Sequence, residues 1–318
     1  MWRRKFIAGL ASTVAFPLVA RAQTPKRIYR LGHLATSSDS EAFTRQITLP
    51  ELARLGFVEG RNLVFDGRVG EPDSLPRLMR ELLAGQPDAI VAIGPAIKPA
   101  GAATRTVPVV TFGNDAIELG LAASYARPGG NVTGVVIAAD ELEAKRLSIL
   151  VEAAPGRRRV AALVAASNGA TEAALRKAAV GLGVELLAFS ASAPSDYPAV
   201  FAAMRAQGAQ ALVIGGNPQF QQDGRQLAGL ALDARLPTVC EWAEMAHAGC
   251  LIGYGPSRIA LRKRMADQIA QVFRGVAPGD IPIERPTAFE FALNLRVAKS
   301  LDLNVPTAVL TRADEVIE

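Results

Sequence analysis

The residues on either side of Arg127–Gly134 carry the same rhythm, short apolar runs alternating with helical segments. Strand-length runs separated in this way favour parallel pairing, because a parallel neighbour is reached only through a crossover long enough to hold a helix. Within the stretch Arg127-Pro128-Gly129-Gly130-Asn131-Val132-Thr133-Gly134, Pro128 fixes one backbone dihedral and the glycines free several others. A single Pro-Gly-Gly is an ordinary surface turn. Repetition of one architecture on both sides makes this one a seam. The chain is therefore expected to be α/β, two doubly wound parallel-sheet lobes joined by a hinge, with its function in the cleft between them.

The first stretch reads as strands at 27–34, 62–68, 88–93 and 107–112, with helices at 41–55, from Asp73 through Leu83, and ending at Ala103. The second reads as strands at 159–165, 184–189, 211–215 and 237–240, with helices at 145–153, 171–182, 197–207 and 221–234. Cys250–Pro256 reads as a second passage between lobes. An amphipathic helix from Ser257 to Arg274 then returns to the first lobe, its Ile259, Met265, Ile269, Val272 and Phe273 making core contacts. The extended run Ile283–Phe291 crosses a third time and carries Leu293–Leu301 onto the second lobe. With 318 residues, half of them hydrophobic, both lobes can bury a core.

Ligands of open parallel sheets sit beyond the C-terminal ends of the strands. The candidates there are Thr36 and Ser37, Gly94-Pro95-Ala96, Asn114 and Asp115 from the first lobe, and Asn168, Asn217 and Glu241 from the second. Gly94-Pro95-Ala96 offers backbone donors at a helix start, which suit a carboxylate or other anion. The amide and carboxyl side chains either hydrogen-bond a polar solute from opposing walls or serve as caps and turn residues. Tyr254, near a crossing, either walls the pocket or packs the hinge. Asp115 and Glu241 could instead form an acid/base pair in a closed cleft, which would make the protein an enzyme.

No Gly-x-Gly-x-x-Gly follows the first strand, and neither a Walker-type Gly-x-x-x-x-Gly-Lys nor a Gly-x-Ser-x-Gly elbow occurs. No cofactor is expected. Two histidines, His33 and His247, and two cysteines, Cys240 and Cys250, make no clustered metal-ligand set. Each histidine reads as structural, and the cysteines as either a short disulfide loop or two buried thiols.

Residues 1–22 read as a signal peptide: Trp2-Arg3-Arg4-Lys5, an apolar run from Phe6 to Ala20, and Ala20-Arg21-Ala22 before a cleavage point at Gln23. The run is short and broken by Pro17, unlike a membrane span. Arg3-Arg4-Lys5-Phe6-Ile7 is compatible with either a Sec or a twin-arginine signal, and no cysteine follows the cut to take a lipid. Removing Arg3, Arg4, Lys5 and Arg21 lowers the basic count from 35 to 31 against 30 acidic residues, so the net charge falls from +5 to +1. That balance gives nucleic acid no persistent basic footprint. Arg157-Arg158-Arg159 and Arg262-Lys263-Arg264 read as solvated turns or helix faces.

Several pieces, in order, resemble the solute-binding family of ABC transporters that includes tryptophan-binding-like proteins, a branch of the type I periplasmic binding fold. They are Gly56-Phe57-Val58-Glu59-Gly60-Arg61-Asn62, Ala126–Gly134, Leu142-Glu143-Ala144-Lys145-Arg146-Leu147, Gly253-Tyr254-Gly255-Pro256-Ser257, Arg285-Pro286-Thr287-Ala288-Phe289-Glu290 and Ala313–Glu318. The resemblance implies a periplasmic receptor whose lobes close on a small polar solute, an amino acid or small carboxylate-like compound. It also implies docking to an ABC permease with its ATPase subunits, and contact with the membrane only through that permease. The lobes are expected at 27–134 plus 254–286 and at 135–253 plus 287–318, hinged at the Val132–Val135 and Leu251–Gly255 crossings. Where the family commonly has Gly-Thr or Gly-Ser, this chain has Gly94-Pro95, without a hydroxyl and with one backbone donor fewer.

Overall fold

The computed structural model describes residues 27–137, 139–165 and 169–318. The expected signal segment and Asn168 lie outside them.

The first lobe begins with β1 (Tyr29–Ala35), followed by α1 (Ser38–Phe43) and α2 (Leu49–Arg54), which are joined by a π-helical turn at Thr44–Thr48. Next come β2 (Leu63–Val69), α3 (Leu75–Ala84), β3 (Ala89–Ile93), α4 (Ile97–Ala103), β4 (Val109–Gly113) and β5 (Val132–Val136). The five strands form a parallel sheet in the order β2-β1-β3-β4-β5. All residues of β3 and β5 are buried, as strands covered on both faces require. In α3, Leu75, Leu78, Met79 and Leu82 fall on one helical face and are its buried residues.

The second lobe runs through α5 (Ala139–Ala153), β6 (Arg159–Ala165), α6 (Gly169–Leu182), β7 (Glu185–Ala191), α7 (Tyr197–Ala206), β8 (Ala211–Ile214), α8 (Pro218–Gln222), α9 (Gly224–Asp233), β9 (Thr238–Cys240) and β10 (Ile252–Pro256). Helix α10 (Arg258–Phe273) then packs on the first lobe, burying Met265, Ile269 and Phe273 in one cluster with Leu31, Val91 and Val110. Ile259, expected among its core contacts, is 49% exposed. The chain returns as β11 (Phe289–Asn294), α11 (Leu295–Ser300), α12 (Thr307–Leu310) and β12 (Glu315–Ile317). The second sheet has seven strands in the order β12-β11-β10-β9-β8-β6-β7, parallel except for the antiparallel pair β10–β11.

The lobe boundaries fall a few residues from where the sequence put them. Val132–Val136 lies wholly in the first sheet and Ile252–Pro256 wholly in the second, so neither strand is itself a crossing. The chain passes over between Val136 and α5, at Ser257, and again between Glu284, whose backbone bonds to Gly134 and Val136, and β11. Gly134 explains the difference. Its φ is +147°, and a Cβ there would lie 2.2 Å from the Thr111 carbonyl oxygen, so this glycine serves close strand approach inside the sheet rather than a turn.

Cys240 and Cys250 form a disulfide. The loop it closes runs from the end of β9 to just before β10, and a 3₁₀ turn at Ala243–Ala246 lies within it.

Candidate functional site

A cleft of about 600 Å³ opens between the lobes, at the C-terminal ends of β3 and β4 on one side and of β6, β8 and β9 on the other. Gly94, Pro95, Asn114 and Asp115 line it from the first lobe, and Asn217 and Glu241 from the second. Other expected residues lie elsewhere. Ala96 is fully buried beneath the cleft in the core of the first lobe. Thr36 is half-buried outside the lining. The Ser37 hydroxyl caps α1 by accepting from Asp39 N at 3.2 Å, and donates across the cleft mouth to Gln222 Oε1 at 3.4 Å. Tyr254 packs against Phe289 and Phe291, with ring centroids 6.1 and 6.2 Å away, so it braces the second sheet instead of walling the pocket.

Two of the lining side chains are held by local bonds. Asn217 Oδ1 accepts from Gln219 N and Phe220 N at 2.7 and 3.3 Å, which starts α8 as a cap does. Asp115 Oδ1 accepts from Ile117 N at 2.8 Å, and Oδ2 accepts from the Tyr125 hydroxyl. That bond raises the Tyr125 pKa above the usual phenol value.

Glu241 sits on a more elaborate support. Behind it, Glu143 and Arg146 of α5 form a fully buried ion pair, Oε1 to Nη1 at 2.9 Å. Arg146 also donates to the carbonyls of Tyr254 (2.8 Å) and Glu241 (3.0 Å), while Glu143 Oε1 accepts from Gly216 N at 2.9 Å. A Cβ at Gly255 would lie 2.1 Å from the Glu241 carbonyl oxygen, so only glycine there lets β10 meet the β9 end this closely. The Glu241 carboxyl lies beside Gly216 and lines the cleft. Burial pushes its pKa up to about 7; Arg146 opposes the shift and Glu143 adds to it.

The aromatic and basic side chains of the site were not among those expected. Trp242 and Phe112 line the cleft together with Arg258, Arg262 and Arg285. Arg258 donates to Asp39 Oδ2 at 3.1 Å and to Glu244 Oε1 at 2.8 Å, and lies 4.1 Å over the Phe43 ring. Arg262 lies 4.1 Å over Phe112 and donates to Thr44 Oγ1 at 3.0 Å. Burial, with the neighbouring Arg258, pulls its pKa down to about 9. His33 is buried with no hydrogen-bond partner for its ring nitrogens among the described residues, and burial, Arg262 and Arg45 pull its pKa down to about 3. The signal for the arginines was present: Arg258, Arg262, Met265 and Ile269 share a helical face. Reading Arg262-Lys263-Arg264 as a local charge run hid that phase. Among the described residues no cluster of histidine, cysteine or acidic side chains could hold a metal ion, and no helix is long and apolar enough to cross a membrane.

Residues 36–317 match the family described as ABC transporter substrate binding protein. The chain belongs to that family. Solved structures agree on the fold. A conserved domain protein from Vibrio cholerae shares 21% identity at a TM-score of 0.82, covering 91% of this chain and 100% of that one. An ABC domain from Streptococcus pneumonia in complex with L-Trp shares 21% at 0.80, covering 90% and 100%. An Agrobacterium vitis solute-binding protein with bound allitol shares 15% at 0.61, covering 86% and 98%. These likenesses make the fold that of the type I periplasmic binding proteins. No curated protein matches the chain.

Proposed function

We propose that this member of the ABC transporter substrate-binding family is a non-catalytic periplasmic receptor that captures a small polar solute, an amino acid or a small carboxylate-like compound, between its lobes. The observation that carries the reading is the cleft itself. Its volume of about 600 Å³ lies within the range of small-molecule sites, and both lobes and the crossing segments contribute to its wall. Solute bound there touches both lobes at once and so favours the closed arrangement over the open one. Delivery is to an ABC permease with its ATPase subunits, and the protein meets the membrane only through them. Export by a Sec or twin-arginine signal accords with the Cys240–Cys250 disulfide, a bond suited to an oxidising compartment.

The test is thermal unfolding of the chain from Gln23 onward against amino acids, small carboxylates, aromatic compounds and sugars, followed by small-angle scattering with each stabilising compound. A midpoint that rises with concentration, a smaller radius of gyration, and recovery of the compound unchanged are the expected results. Chemical turnover of a bound compound, abolished in Glu241→Gln, would overturn the receptor reading in favour of an enzyme.

A further inference from the structure

Three arginines are almost completely withdrawn from solvent near the cleft, and they differ in what balances their charge. Arg146 has Glu143, and Arg258 has both Asp39 and Glu244. Arg262, only 2% exposed, has no carboxylate within ion-pair distance among the described residues. Its one hydrogen bond to a described residue goes to a neutral hydroxyl, Thr44 Oγ1, and its buried Nε has no partner among the described residues. A buried charge is normally matched by an opposite charge and by hydrogen bonds to its remaining donors. Here the fold supplies only the faces of Phe112 and Phe43 and the more distant charge of Asp39, which is not within ion-pair reach. The nearby His33 is neutral, and Asp39 is already engaged by Arg258 and Gln221. Arg262 is also a lining residue of the cleft, so the space beside this guanidinium is the space a solute would occupy.

We propose that Arg262 is the seat of a carboxylate on the solute, and that the cargo is a monocarboxylate with an apolar body, a simple anion or an amino-acid zwitterion, rather than a neutral polyol. This rests on the receptor reading above and narrows it. A single uncompensated guanidinium matches one carboxylate, whereas a doubly charged phosphate calls for more donors. The apolar body follows from the neighbouring wall, where Ile93, Phe112, Ile137 and Trp242 line the cleft. The wider cleft is not uniformly basic, since Glu241 stands on the opposite lobe beside Gly216. The backbone donors at Gly94-Pro95-Ala96 are not needed for this role. The helix that follows them is only seven residues long, and Pro95 removes a donor from its start.

The experiment compares matched acids and amides on the wild-type chain from Gln23 and on Arg262→Met. The pairs are indole-3-acetate with indole-3-acetamide, phenylacetate with phenylacetamide, L-tryptophan with L-tryptophanamide and L-leucine with L-leucinamide; allitol, myo-inositol and inorganic phosphate complete the panel. The expected result is that at least one acid raises the unfolding midpoint with concentration while its amide does not, and that Arg262→Met weakens that acid at least 100-fold by calorimetry. A second readout needs no ligand: ligand-free Arg262→Met should unfold at or above the wild-type midpoint, because it removes an unmatched buried charge. Equal binding of acid and amide, an undiminished affinity in Arg262→Met, or a ligand-free variant that melts well below wild type would overturn the inference. A response only to polyols or to phosphate overturns it while leaving the receptor reading intact. Silence across the panel overturns both.

Discussion

Asp39 and Gln221 belong to different lobes, yet the Gln221 side-chain amide donates to Asp39 Oδ2 at 2.9 Å. The same carboxylate oxygen accepts from Arg258, whose other terminal nitrogen reaches Glu244 of the second lobe. One carboxylate therefore holds the cleft mouth together from both the opposite lobe and the crossing segment. Asp39→Ala should loosen the closed arrangement by about 1 kcal/mol, the scale of a partly exposed charge-assisted contact. Small-angle scattering should report a larger mean radius of gyration for the ligand-free variant. An unchanged radius would show that these bonds do not bias closure.

The Glu143–Arg146 pair is load from the second lobe's interior, fully buried and bonded to three backbone groups. Arg146→Ala leaves the Glu143 carboxylate without its counter-ion and frees the carbonyls of Tyr254 and Glu241. A loss of about 3–5 kcal/mol in urea unfolding is expected. A loss below about 1 kcal/mol would mean the pair is not what fixes the wall behind Glu241.

Glu241 and His33 should tilt the pH dependence of stability in opposite directions. The Glu241 pKa is raised to about 7 on folding, so between its ordinary value of 4.5 and 7 the folded state binds the extra proton. Stability from this group therefore falls as pH rises through that window, by about 2–3 kcal/mol. His33 is lowered to about 3 from 6.5, so there the unfolded chain binds the extra proton and stability falls as pH drops below 6.5. The windows overlap from about pH 4.5 to 6.5, where the two slopes offset each other, so across that range urea midpoints should rise with pH in Glu241→Gln and fall with pH in His33→Leu. If either variant tracks wild type across its window, that assignment is wrong.

Cutting the Cys240–Cys250 bond should destabilise the protein by about 3 kcal/mol, the loop-closure value for a ring of this size. The loop also carries Glu241 and Trp242 into the cleft, so reduction should lower solute affinity before it unfolds the chain. Melting curves and binding isotherms with and without dithiothreitol test both effects. Equal affinity at full reduction would show that β9 and β10 alone hold the wall.

Much of this architecture can be read from the chain. Alternation of apolar runs with helical segments gave two lobes, and the strand ends named Gly94, Pro95, Asn114, Asp115, Asn217 and Glu241, all of which line the cleft. Two kinds of feature escaped. Gly134 and Gly255 look like turn residues locally, but each exists for a neighbour distant in sequence, the Thr111 carbonyl and the Glu241 carbonyl. Arg262 looks solvated because Lys263 and Arg264 follow it, while helical phase turns it and Arg258 inward. For Tyr254 the sequence leaves two places open, the pocket wall and the packed crossing. Its place near a crossing was legible, but the two phenylalanines that claim its ring arrive with β11.

The position of α10 has a consequence for how this molecule can be made. The helix covers the face of the first sheet, yet it is encoded after the last β-strand of the second lobe's parallel run. During synthesis or translocation the earliest strands emerge with that face bare, and it stays bare until the second lobe's chain has passed. No single cut yields a free-standing half: ending the chain at the seam leaves Leu31, Val91 and Val110 without Met265, Ile269 and Phe273. Two bodies in space are thus one unit along the chain, completed from its far end.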